Sequence, residues 1–162
     1  MKDWQDLGKE IRRYLNVETF PVAVKILKDE KDIPGGSRTP LKDLKVKMAH
    51  CQAQSICRKY GWTIALTRAD LGCAISGHTY GWQTANSEGA IDFLTRMNYA
   101  ADRTTALKIL QSFRTLEQGQ CEAVVYSPLE RTKIEPDVIL IYLNPAQSVS
   151  YTHLTLPTIL RV

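Results

Sequence analysis

A single α+β (or mixed α/β) domain, with helices packed on a mixed β-sheet, is the fold class this chain predicts. Three observations carry that reading. Segments with a helical apolar period alternate along the chain with short runs rich in Val, Ile and Tyr, the pattern of layered helices and sheet. The run VILIYL at residues 138–143 is apolar without alternation, which implies a strand covered on both faces. The 162 residues, 44% hydrophobic and 23% charged, have the length and composition of one globular core.

Each element follows from its own signal. Residues 3–15 form the first helix, because Trp4, Leu7, Ile11, Tyr14 and Leu15 recur at helical spacing between charged residues. PVAVKIL at 21–27 is a strand with Val22, Val24 and Ile26 on one side, giving sheet at 22–26. IPGGSRTP at 33–40 is loop by its Pro and Gly breakers. Residues 47–60 make a second helix, in which Ser55 and Cys57 lower the propensity slightly. WTIALT at 62–67 supplies a second strand, with its sheet portion at 64–66. Thr67 and Asp70 then have the form of a capping box with Asp in the acidic position, so a helical turn carrying Cys73 is expected to begin there. Residues 88–97 and 103–113 are helical, the latter with Ala106, Leu107, Ile109, Leu110 and Phe113 as an apolar face, and Gly119 closes that stretch. CEAVVYSPL at 121–129 and DVILIYL at 137–143 are the strongest strands, with sheet at 123–126 and 138–142 and Pro136 just ahead of the second.

Charge and composition exclude several function classes. The net charge is +4, but Lys and Arg are scattered, and the densest patch, 42–47, is interrupted by Leu, Asp and Val. Nucleic-acid binding needs basic charge clustered on one surface and is not expected. No apolar run approaches the roughly 20 residues of a bilayer span, and MKDWQDLGKE lacks the apolar stretch of a signal peptide. The expected location is therefore cytoplasmic, with no membrane partner. The four cysteines are expected as free thiols there, with metal or redox use as the alternative to plain burial.

The last segment is read separately. VSYTHLTLPT at 149–158 resembles one reading frame of a transposon-end adapter used in sequencing libraries, and an index and a constant stretch would encode the residues that follow. The domain is accordingly assigned to residues 1–148, and 149–162 to an adapter-derived tail set aside from fold reasoning. That assignment removes His153 from the candidate ligands.

The segment ADLGCAISGHTYGW, residues 69–82, places Cys73 and His78 five residues apart among glycines and aromatics. Such a pair could hold a metal, present a reactive thiolate, or make a tight corner. His78 has the residue chemistry of a ligand or proton carrier, or of a polar rim beside Tyr80 and Trp82. Cys51 and Cys57 lie about 120° apart around a helix, and His50 about 100° from Cys51, so neither pair chelates one ion easily. No C-x-x-C is present. Gly72, Gly77 and Gly81 lack the spacing of a phosphate fingerprint, and IPGGS is not followed by the Gly-Lys-Ser/Thr of a P-loop.

Taken together, FPVAVKIL after an N-terminal helix, HCQAQSIC, LTRADLGC and EAVVYSPLERTKIEPDVILIYLNPAQ resemble the domain-of-unknown-function 169 family of archaea and anaerobic bacteria over residues 2–147. The resemblance implies a fold and candidate positions, without a reaction. It implies that Cys51 and Cys73 stand at family cysteine positions, that Cys57 and Cys121 do not, and that a further C-terminal part carries additional glycine- and cysteine-containing segments. The family's proline and paired glycines after the second cysteine are replaced here by CAISGHTYG. The functional expectation is a metal, iron–sulfur or thiol redox protein. Cys51 and Cys73 are its cofactor-binding residues, with His78 as a third metal candidate. An iron–sulfur cluster or zinc is the cofactor class, and a redox partner or small molecule the partner class. The sulfurs of Cys51 and Cys73 are then expected to face a common cleft within about 10 Å of each other. The alternative is a non-catalytic small-molecule-binding module with structural cysteines, in which the glycines admit a ligand against Tyr80 and Trp82.

Overall fold

The computed structural model describes residues 3–84 and 88–159, with side chains as far as residue 153. Helix α1 (Trp4–Leu15) starts where Asp3 accepts the amide hydrogens of Gln5 and Asp6, and stops at Asn16 in the left-handed conformation. It is followed by β1 (Val22–Leu27), α2 (His50–Tyr60), β2 (Ile64–Thr67), α3 (Ala74–Thr79), α4 (Glu88–Arg96), α5 (Arg103–Ser112), β3 (Ala123–Pro128), β4 (Val138–Leu140) and α6 (Pro145–Ile159). No described helix is long and apolar enough to cross a membrane.

The four strands form one sheet in the order β2-β3-β1-β4, and every ladder is antiparallel. Single parallel bridges, Arg38 with Ile64 and Met48 with Leu71, are added outside the ladders. β3 lies between β1 and β2 and is buried along its whole length. Val138–Leu140 is different: Val138 is 52% exposed, because β4 is an edge strand paired with β1 on one side only. The apolar run at 138–143 therefore does not mark a strand covered on both faces. It ends as sheet at Leu140, and the doubly covered strands are β2 and β3.

Alternation along β3 assigns the two faces of the sheet. Val124 and Tyr126 join Val22, Ile64, Leu66, Met48, Ala53, Cys57, Trp82 and Cys121 in the main core, under α2. Burying each large aliphatic side chain there contributes about 1.5–3 kcal/mol relative to exposure. Ala123 and Val125 point the other way and join Leu27 and Ala65, with Ile33 and Ile134 from two loops as the partly buried cover. A third cluster, Ala90, Ile91, Leu94, Ala100, Ala106 and Leu110, holds α4 against α5 and meets Ala74 and Ile75 of α3. Phe113 lies outside the predicted apolar face, since α5 ends at Ser112 and its ring is 39% exposed.

α1 is fixed to the rest of the domain through the short helical turn Leu129–Arg131 that follows β3. Gly8 is what allows the approach, because a Cβ there would sit 2.5 Å from the Glu130 backbone nitrogen. Arg12 pairs with Glu130 at 2.8 Å, and the Gln5 side-chain amide donates to the Thr132 carbonyl at 2.9 Å. In α6, Val149, Ser150, Tyr151, Thr152 and His153 are exposed, so the first part of the segment read as a tail adds little to the core. Residues 160–162 of that segment lie outside the described residues.

Candidate functional site

Cys51 and Cys73 stand at the beginnings of α2 and α3. Met48 N–H donates to the Asp70 carbonyl at 2.8 Å, and Gly72 N–H returns to the Met48 carbonyl at 3.1 Å, so the approach to α2 is bonded to the approach to α3. Asp70 anchors this seam. Its carboxylate is 1% exposed and accepts from the Leu41 amide, the Thr67 amide and the Thr67 hydroxyl. Only half of the expected capping box forms: Asp70 accepts from the Thr67 amide, but the Thr67 hydroxyl donates to the same carboxylate and the Asp70 amide bonds the Thr67 carbonyl, which closes a turn and starts no helix. The helix begins at Ala74, with Cys73 as its N-cap in extended conformation at φ −131°.

Cys51 is exposed in the first turn of α2, and Cys73 is half-buried; both are free thiols. The α2 start is held by Gln52, whose side chain accepts from the Ala49 amide at 2.9 Å. Cys57 and Cys121 are buried, and burial pushes both thiols up to about 12, so they are unreactive at neutral pH. Cys51 and Cys73 are thus the two less buried cysteines of the four. The angular argument for His50 also holds in outcome: it turns into the core while Cys51 faces out.

His50 occupies an aromatic box. Its ring stacks on Tyr80 at a centroid distance of 4.4 Å, lies 5.8 Å from Trp82, and meets the Tyr126 ring edge-on at 5.7 Å. Nδ1 is hydrogen-bonded to the Tyr126 hydroxyl. Burial lowers the His50 pKa to about 4 and raises that of Tyr126, so both groups are neutral at pH 7. Nε2 is buried without a partner among the described residues. Tyr142 donates to the Gln54 side-chain oxygen at 3.3 Å on the neighbouring turn of α2.

His78 is 6% exposed and points toward α5, where Nε2 donates to the Leu110 carbonyl at 2.8 Å. It is part of the interior and does not form a polar rim. Among the described residues, no group of three or more His, Cys, Asp and Glu side chains is gathered to hold a metal ion, so His78 is not gathered with Cys51 and Cys73 as a ligand set.

In the 69–82 segment Gly77, Gly81 and Trp82 are buried, Tyr80 packs half-buried against the main core, and Gly72 is exposed. Trp82 is 5% exposed, and its indole N–H donates to the Cys121 carbonyl at 2.6 Å. Gly81 adopts φ +71°, and a Cβ there would lie 2.6 Å from the Leu116 carbonyl oxygen. The space beside this glycine is filled by protein. Sequence reasoning missed the His50–Tyr126 contact, since 76 residues separate the partners. It also missed a polar cavity on the other face of the sheet. The available signal for that cavity was the basic and hydroxyl-bearing run RTK at 131–133, directly after the PLE turn.

Fold and site together define a single α+β domain with an antiparallel four-strand sheet and two accessible thiols at adjoining helix starts. The chain belongs to the domain-of-unknown-function 169 family, described as Uncharacterised ArCR, which it matches over residues 10–156. The matched span includes residues 149–156 of the segment that resembles an adapter. No curated protein and no solved structure matches the chain.

Proposed function

We propose that this chain presents Cys51 and Cys73 as a paired thiol site for metal, iron–sulfur or thiol redox chemistry in a reducing cytoplasm. The supporting observation is the Met48–Leu71 bridge, which bonds the two cysteine-bearing helix starts to each other while the other two cysteines are buried. Thiolates suit zinc and cluster iron, which take about four ligands, so the pair supplies half a coordination sphere. The remaining ligands come from outside the set of described side chains. In the redox form, one thiolate attacks a partner disulfide to give a mixed disulfide. The second thiolate then displaces the partner as its dithiol, and the Cys51–Cys73 disulfide remains.

The test is expression without oxygen of wild type, Cys51→Ala and Cys73→Ala, followed by measurement of iron, zinc and visible absorbance. In parallel, the proteins are treated with oxidised glutathione and searched by peptide mass spectrometry for a 51–73 disulfide. The proposal expects bound metal or the cross-link in wild type and its loss in each variant. Neither metal nor cross-link in wild type, or metal content unchanged in both variants with no cross-link, overturns it.

A further inference from the structure

The face of the sheet turned away from α2 is covered by loops, and between those loops lies a cavity of about 220 Å³. Its floor is sheet: Val125 and Ser127 from β3, with Thr63 just ahead of β2, the two hydroxyls 3.0 Å apart. One wall is the loop Pro34, Gly35, Gly36, Ser37, and the other is the run from Arg131 to Ile134. Lys133 joins them, its ammonium donating to the Gly35 carbonyl at 3.1 Å. The cavity and the cysteines lie at opposite ends of β2, because Thr63 precedes that strand and Cys73 follows it. Its use is therefore independent of the thiol proposal.

The chemistry of the lining is one-sided. Arg131 and Lys133 bring two positive charges, no acidic residue lines the space, and of the four hydroxyls Ser37, Thr132 and Ser127 donate to the Pro34, Ile134 and Pro128 carbonyls. The nearest acid in sequence, Glu130, is held by Arg12 at 2.8 Å on the α1 side and lies 4.0 Å from Arg131 Nε, while Arg131 also donates to the Gly61 carbonyl at 3.4 Å, so Lys133 is the less engaged of the two cations. Lys133 spends one of its three N–H donors on Gly35, leaving two to offer. Gly36 turns the loop at φ +90°, where the Ser37 amide closes back on the Pro34 carbonyl at 3.1 Å. A Cβ on Gly35 or Gly36 would meet nothing within 4 Å, so this loop is open on its outer side, unlike the packed Gly8 and Gly81.

Two cations beside hydroxyls that can turn from their present carbonyl partners, in a lining without a carboxylate, match a tetrahedral oxyanion better than a neutral ligand. Val125, Ile134 and Pro34 add a short apolar surface that a small organic stub would cover. We propose that this cavity is a binding site for a phosphoryl group, either as free phosphate or as a small phosphomonoester. Lys133 and Arg131 supply charge, and the hydrogen-bonded Thr63–Ser127 pair can turn one hydroxyl toward the ligand.

The experiment is calorimetric titration of the full chain at constant ionic strength with inorganic phosphate, with glycerol 3-phosphate, and with acetate. Wild type, Lys133→Met and Lys133→Arg are compared after circular dichroism confirms the fold; Lys133 is exposed, so both variants should fold. Saturable binding of at least one phosphoryl probe is expected, weakened about tenfold or more by Lys133→Met and restored by Lys133→Arg, with acetate much weaker. Tighter binding of glycerol 3-phosphate than phosphate identifies the phosphomonoester as the source; the reverse identifies the free ion. Absence of saturable binding of both phosphoryl probes, equal binding of acetate, or affinity unchanged in Lys133→Met overturns the proposal.

Discussion

Replacing His50 by Gln tests whether the aromatic box holds a neutral imidazole. Burial lowers the His50 pKa from 6.5 to about 4, so between those values the unfolded chain takes up a proton that the folded chain does not. Folding stability attributable to this group is then complete above pH 6.5 and is lost as pH falls toward 4. The full loss amounts to about 3 kcal/mol, at about 1.4 kcal/mol per unit of pKa displacement. Gln keeps a hydrogen-bonding side chain for the Tyr126 hydroxyl and has no proton to titrate. The assay is urea unfolding followed by far-ultraviolet circular dichroism at pH 7.5, 6.5, 5.5 and 4.5, with thiols reduced and a chelator present. Wild type should lose about 2.5 kcal/mol relative to His50→Gln across that series, which stops short of the folded pKa, or about 5–10 °C in a thermal scan of a domain this size. Carboxylates titrate alike in both proteins and cancel in the difference. Parallel stability curves for the two proteins would refute the reasoning, because they would mean that His50 titrates equally in the folded and unfolded states.

Gly8→Ala is expected to lower stability by about 1–3 kcal/mol in the same urea assay, although Ala is the better helix former, because its Cβ would meet the Glu130 backbone. Asp70→Asn should cost about 1–3 kcal/mol by turning an amide N–H toward donors that need an acceptor. Hydrogen exchange at the Leu41 and Thr67 amides should quicken in that variant while α5 is unaffected. In native protein at pH 7.5, maleimide should label Cys51 and Cys73 well before Cys57 and Cys121, as read by peptide mass spectrometry; prompt labelling of Cys57 would contradict its burial. Ending the chain after Ser148 should change unfolding stability by less than about 0.5 kcal/mol, since residues 149–153 are exposed; a larger loss would make that segment part of the fold.

The sequence by itself determined the elements and their class. Strand starts at Val22, Ile64, Ala123 and Val138 and the starts of α1, α4 and α5 fall where local periodicity and breakers set them, because each of those signals is contained in a few consecutive residues. The resemblance to the family's segments, and not composition, set Cys51 and Cys73 apart from Cys57 and Cys121, and the latter two are buried. Tertiary structure decided what depends on neighbours distant in the chain. VILIYL reads as a central strand, yet β4 takes an edge because β3 occupies the other side of β1. His78 reads as a ligand, a proton carrier or part of a polar rim, yet it lies inside, bonded to the Leu110 carbonyl 32 residues away. Tyr80 and Trp82 read as a contact surface, yet they enclose His50. The cavity between the Gly35–Gly36 loop and Lys133 joins segments 98 residues apart, and no local spacing records it. Local propensity fixes backbone conformation, whereas burial and charge environment are set by which surfaces the sheet order brings together.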